Sequence, residues 1–231
     1  MVKYYAQHGE DIVVWSIFGG VTNGKFVDVG SMDGVWFSNT LSFEQMGWSG
    51  ICIEAHPFYH NLAVQNRPKA ICVHAAVAEC DKEEVEFYAN KMGMLSTLNP
   101  TMVAYFKNRY AGYTDNVAIS VPQLSLNTIL ANNAFGNFDF LSIDVEGEEL
   151  NVLKGLDLTI YTPRIIVSEA VTKDREVDVK KYLAGFGYQY AINVTNNMFF
   201  SNVASDIAKL KKLRLSKELL SRIVKTKHPL K

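Results

Sequence analysis

The 231-residue chain has only three cysteines and six prolines, and no apolar run approaches the roughly 20 residues of a bilayer-spanning helix. Cys52, Cys72 and Cys80 form no C-x-x-C pair, which argues against a metal-thiolate site. Two of them lie in apolar, strand-like runs and read as reduced core cysteines. No G-x-G-x-x-G stretch occurs, so a dinucleotide with its pyrophosphate on a helix N-terminus is not expected. Repeats and low-complexity tracts are absent, as is the profile of a secretion signal at the N-terminus, and the expected location is the cytoplasm.

The hydrophobic content of 48% suits one domain with a full core. The net charge of −1 conceals an asymmetry. From Ile207 onward nine Lys/Arg face one acid, Glu218, so the tail carries +8 and residues 1–206 carry −9. Ile207, Leu210, Leu213, Leu220, Ile223 and Val224 recur near helical spacing, which predicts a basic amphipathic helix over about 205–225. Packing of its apolar stripe on the body is the simpler expectation. Weak contact with an anionic membrane surface or an acidic partner is the other.

Most informative is the run Phe26-Val27-Asp28-Val29-Gly30-Ser31-Met32-Asp33-Gly34. An acid sits within a strand-like segment, and two glycines follow where the strand would end. Gly30 permits a positive φ, and Gly34 permits close approach of a ligand. A second apolar run, Ile51-Cys52-Ile53-Glu54-Ala55, also ends in an acid, 26 residues after Asp28. That interval accommodates a helix and a return to a neighbouring parallel strand, where an acid hydrogen-bonds ribose hydroxyls in nucleotide-binding α/β folds. A third unit, Phe138 to Gly147, runs again from apolar residues to acids (Asp144, Glu146) to glycine. Loops rich in carboxylates repel phosphate and accommodate a sulfonium or ammonium group, which points to S-adenosylmethionine.

Strand and helix signals alternate, as in a doubly wound parallel sheet. Strands are predicted at 26–30, 51–55, 70–76, 138–144, 164–169, 186–192 and 197–201. Helices are predicted at 9–18, 39–46, 57–66, 124–132, 147–155, 175–184 and 205–225. The last two strands read as a hairpin around Asn196-Asn197. Residues 82–122 break the rhythm: two alternating segments flank a stretch bearing Met92, Met94, Met102, Tyr105, Phe106, Tyr110 and Tyr113. This reads as an inserted cap over the strand ends, with aromatics suited to stacking on sugar faces.

Four blocks carry a resemblance: Tyr5 to Asp11, FVDVGSMDGVWFSNT at 26–40, GWSGICIEAHP at 47–57 and FLSIDVEGEELNVLKGL at 140–156. Together they resemble the FkbM family of methyltransferases. The resemblance implies a class I Rossmann-like fold, α/β with a seven-stranded, mostly parallel sheet whose last strand is antiparallel. It also implies an S-adenosylmethionine-dependent enzyme, most often acting on hydroxyls of sugars and natural products.

The expected cofactor residues are Asp28, Gly30, Ser31, Gly34, Ser38, Asn39, Thr40, Glu54, Ala55, Ala76, Val77 and Asp144. Ser38-Asn39-Thr40 would also open the next helix, and Ala76-Val77 would pack near the adenine. A hydroxyl acceptor needs a base, for which Asp144, Glu146 and Glu169 at strand ends and His8 and Glu10 in the first block are candidates. His56 reads as a cofactor-edge or turn residue, His60 and His74 as structural, and His228 as part of a frayable tail. No metal is expected, because the acids have no histidine nearby. Transfer to nitrogen or carboxylate, or a non-catalytic module on the same scaffold, remain alternatives. Nucleic acid is not the expected substrate: the body is acidic and no N/D-P-P-Y/F run occurs.

Overall fold

The computed structural model describes residues 2–230. In chain order the elements are α1 (Glu10–Phe18), β1 (Lys25–Val29), α2 (Leu41–Gln45), β2 (Ser49–Glu54), α3 (Pro57–Asn66), β3 (Ile71–His74), β4 (Ala76–Val77), β5 (Lys82–Ala89) and α4 (Pro100–Arg109). They continue with β6 (Val117–Leu124), α5 (Leu126–Asn132), β7 (Phe140–Ile143), α6 (Glu149–Lys154), β8 (Ile165–Glu169), α7 (Lys173–Ala184), β9 (Gln189–Val194), β10 (Asn197–Ser201), α8 (Ala204–Lys212) and α9 (Lys217–Leu220).

Seven strands form one sheet in the order β3-β2-β1-β7-β8-β10-β9. All pair in parallel except β10, which runs antiparallel to both β8 and β9. This is the predicted doubly wound class I arrangement with its antiparallel final strand. The chain moves outward from β1 to β3, then returns to β7 on the other side of β1. The carboxyl ends of β1 and β7 therefore flank the switch point, where open α/β sheets bind ligands.

Alternation along the strands feeds two cores. Val27, Val29, Ile51, Ile53, Leu141 and Ile143 pack on the face covered by α5, α6 and α7. Phe26, Cys52, Phe140, Val167 and Phe199 pack on the opposite face with α1 and α8. Trp48 and Phe43 wedge into that second face, with ring centroids 5.0 Å apart.

Several element boundaries differ from the expectation. The third strand ends at His74, and Ala76–Val77 leaves the main sheet to pair with β6, giving a separate sheet ordered β4-β6-β5. The predicted strand over 186–192 is displaced to Gln189–Val194, because Gly187 takes a positive φ (82°) in the turn after α7. The hairpin turn is Thr195-Asn196, since Asn197 already pairs with Val194.

The basic tail departs furthest from the expected single helix. Helix α8 stops at Lys212, and Ser216 then caps a new turn by accepting a hydrogen bond from the Leu219 amide (3.1 Å). Ile207 and Leu210 are buried. Past α9 the chain pairs with the N-terminus through a parallel Tyr4–Ile223 bridge. No helix among the described residues is long and apolar enough to cross a membrane.

Candidate functional site

A cleft enclosing about 1240 Å³, counted out to its open mouth, lies at the carboxyl ends of β1, β2 and β7. Its floor comes from the two segments that cross at the switch point. Gly30 (φ 83°) packs so closely that a Cβ there would lie 1.8 Å from the Asp144 carbonyl oxygen, so glycine is required by both conformation and contact. The Gly30 and Ser31 amides donate to the Ile53 carbonyl (2.9 and 3.1 Å), tying the glycine loop to β2.

Asp28 is buried and accepts from the Thr40 hydroxyl (2.6 Å). Burial raises its pKa, against the hydrogen bond from Thr40 and the charge of Arg67. Arg67 closes this corner from behind. Its guanidinium pairs with Glu44 (2.7 Å) and donates to the Gly34 carbonyl (3.1 Å) and the Thr40 hydroxyl (3.2 Å).

Glu54 faces the cleft with both oxygens engaged by the backbone: Met32 N–H (2.8 Å) and His56 N–H (2.7 Å). Burial still lifts its pKa to about 7. His56 itself is the N-cap of α3, its Nδ1 accepting from the Phe58 amide (3.3 Å).

Across the cleft, carboxylate oxygens of Asp144, Glu146 and Glu169 lie within 4.8 Å of one another, a spacing that could hold a cation. Desolvation dominates their titration: Asp144 is raised to about 6. Glu146 is raised to about 8, with the Asp144 charge adding to burial. Glu169 is pushed well above the usual carboxylate range by burial and then by its acidic neighbours. Its Oε2 is buried without a fixed partner. Glu149, beside them, is raised to about 7 by burial, while its Oε1 accepts from the Gly147 amide (2.7 Å).

Of the residues expected from sequence, Glu10, Asp28, Gly30, Ser31, Ser38, Asn39, Glu54, Ala55, Ala76, Val77, Asp144, Glu146 and Glu169 all border this cleft. Thr40 and Gly34 sit behind it; a Cβ at Gly34 would lie 2.5 Å from the Arg67 side chain. His8 does not belong to the cleft. It is exposed, and it is the neighbouring Glu10 that turns inward, accepting from the His8 amide (2.9 Å) and the Asn197 side chain (3.1 Å).

The cap contributes differently from the expectation. Met102 and Phe106 are buried, Tyr110 is exposed, and none of Tyr105, Phe106, Tyr110 and Tyr113 borders the cleft. Gly93, Met94, Ser96 and Leu98 of the preceding loop do. The aromatic surface comes instead from Phe87 and from Trp36 and Phe37, which stack at 4.1 Å. Sequence reasoning missed that pair because aromatics after a glycine loop look like ordinary packing. Met32, Phe37 and Glu146 all adopt positive φ (50°, 57° and 56°), so three non-glycine residues on the cleft wall hold a strained backbone.

The family model described as "Methyltransferase FkbM domain" matches residues 28–190. A structure described as methyltransferase FkbM from Methylobacillus flagellatus is similar with a TM-score of 0.53 at 13% identity, over 78% of this chain and 44% of that one. A precorrin-6y methyltransferase from Geobacter metallireducens matches with a TM-score of 0.46 at 13% identity, over 82% of this chain and 84% of that one. A TehB-like SAM-dependent methyltransferase from Corynebacterium glutamicum matches at 0.43 and 10% identity, over 84% and 85% respectively. No curated protein matches the sequence.

Proposed function

The chain belongs to the FkbM methyltransferase domain family, and from that premise we propose that it is an S-adenosylmethionine-dependent O-methyltransferase acting on a small hydroxylated acceptor such as a sugar. The observation that carries this reading is the uncompensated carboxylate set of Asp144, Glu146 and Glu169 facing the glycine loop across one cleft. A cationic ligand suits those acids, and a phosphate-bearing one does not. The donor groups also fit: the Ser31 hydroxyl borders the cleft, buried and without a partner, and is free to hold the amino-acid portion of the cofactor. Glu54 retains lone pairs toward the cleft for ribose hydroxyls, and the Ala76–Val77 wall is apolar enough for a purine.

The cofactor would supply a methyl group on a sulfonium, an electrophile that needs chiefly an in-line approach. The protein's own share is orientation and proton removal. Trp36 and Phe37 form an apolar wall that excludes water and fits the face of a sugar ring. Glu146, raised to about 8, would take the hydroxyl proton in its ionised form, whose share grows as the pH approaches 8. Burial and then its acidic neighbours push Glu169 well above the usual carboxylate range, which disfavours its ionised, base-competent form. The reading needs no metal.

The test is incubation with isotopically labelled S-adenosylmethionine and a panel of glycans and hydroxylated metabolites, read by mass spectrometry. A labelled methyl ether is the expected product. Label found only on amines or carboxylates would replace the O-methyl reading, and binding of NAD in place of S-adenosylhomocysteine would overturn the cofactor.

A further inference from the structure

Beyond α8 the chain does not fray. It crosses the molecule as a strap along residues 221–230, outside the segment that matches the family. The Tyr4 amide donates to the Arg222 carbonyl (3.3 Å), and the Val224 amide donates back to the Tyr4 carbonyl (2.7 Å). The Arg222 guanidinium donates to the Val2 carbonyl (3.1 Å) and lies over the Tyr4 ring. Near its end the strap inserts His228, which is only 4% exposed.

Each side of that imidazole is engaged. Nδ1 accepts from the Leu230 amide (3.1 Å), so the proton resides on Nε2, which donates to the Met92 carbonyl (2.8 Å). The ring stands edge-on to Trp36 at 4.6 Å. Tyr59 lies alongside, its hydroxyl donating to the Lys91 carbonyl (2.9 Å) and sitting 3.5 Å from Nε2.

Of the two groups held by His228, one borders the cleft and the other adjoins residues that do. Trp36 borders the cleft directly, and Met92 leads into Gly93 and Met94, which also border it. Gly93 (φ 79°) presses so closely that a Cβ would lie 2.6 Å from Tyr59 and 2.7 Å from Met32. Met32, in turn, is the residue whose amide binds Glu54 (2.8 Å). One buried side chain thus joins the glycine loop, the cap loop and the strap from behind.

We propose that His228 is a positioning residue of the cofactor cleft: it docks the strap and thereby fixes the wall formed by Trp36 and Met92–Met94. The use of a nucleoside probe rests on the proposed function, whereas the docking itself does not.

The experiment compares full-length wild type, His228→Ala and His228→Gln, the last keeping a donor near the Nε2 position. Hydrogen exchange is read on the ligand-free proteins, and S-adenosylhomocysteine binding is measured by calorimetry. His228→Ala should speed exchange at 90–95 and 222–230 together and weaken the probe about three- to tenfold, the scale of one lost hydrogen bond. His228→Gln should restore most of both. Unchanged loop exchange in folded His228→Ala, or a glutamine variant as impaired as the alanine one, overturns the proposal. If the alanine variant fails to fold, the wild type decides: S-adenosylhomocysteine must protect 90–95 and 222–230 in concert, and protection of the loop without the strap overturns it. Failure of wild type to bind the probe, with loop exchange still altered by the substitution, removes the cofactor reading and keeps the strap.

Discussion

Arg67 Nε lies 2.7 Å from Glu44 Oε2, with the guanidinium fully buried and the carboxylate nearly so. The same guanidinium reaches Gly34, Ser38 and Thr40, and Thr40 holds Asp28. The glycine loop is therefore braced by a charge that never meets the cleft. Removing one partner of a buried pair leaves the other uncompensated, at a cost of about 3–5 kcal/mol. Arg67→Gln should destabilise the fold on that scale in urea titration. Thr40→Val should cost about 1–3 kcal/mol, because it removes a donor to buried Asp28 and an acceptor from buried Arg67, and it should weaken cofactor binding in a folded protein. Stability unchanged in Arg67→Gln would show that the brace is ornamental.

Glu54→Gln should weaken S-adenosylhomocysteine by about 1.5–3 kcal/mol, the scale of a charge-assisted hydrogen bond. Calorimetry on the folded variant checks this. An unaltered dissociation constant would confine Glu54 to holding Met32 and His56.

Turnover should fall about 10²–10⁴-fold in Glu146→Gln, while cofactor affinity changes little, as expected for loss of a general base. In wild type, kcat should climb with pH and level off above about 8, following Glu146. Wild-type rates in the variant with a hydroxyl acceptor would turn attention to Asp144 or Glu10.

The buried acids also set how stability depends on pH. Glu54 and Glu149 (about 7), Asp144 (about 6) and Glu146 (about 8) bind protons more tightly folded than they do unfolded, where carboxyls titrate near 4. Their contribution is complete below about pH 4 and is lost as pH rises toward about 8. The ligand-free protein should therefore melt lower at pH 8.5 than at pH 5.5. S-adenosylmethionine, carrying positive charge, should narrow that gap more than neutral-sulfur S-adenosylhomocysteine. A melting temperature that rises steadily over this range would refute the assigned protonation.

The strand-then-acid units were legible because each couples an apolar run to a polar terminus, and both halves of that signal are local. The ends of β1, β2 and β7 fell where the sequence placed them to within a few residues. What escaped depended on distant partners. Ala76–Val77 is too short to betray that it joins β6. Arg67 looks like a solvated cation near a helix end until Glu44 and Thr40 converge on it. His8 and Glu10 are neighbours in one motif, and only the packing of β10 against α1 shows that the acid, not the imidazole, turns inward. The tail carries helical spacing throughout, yet Ser216 restarts the turn and the strap's pairing with Tyr4 replaces the last helical residues.

That pairing has a temporal side. Tyr4, Trp36 and Met92 leave the ribosome well before His228, and chains generally begin folding while synthesis continues. A nascent chain stopped short of residue 228 has its glycine loop and acid cluster already translated, but one wall still unlatched. On the proposed function, the order of synthesis sets a clock for the cleft: chains ending before residue 228 should release S-adenosylhomocysteine more readily than the full chain.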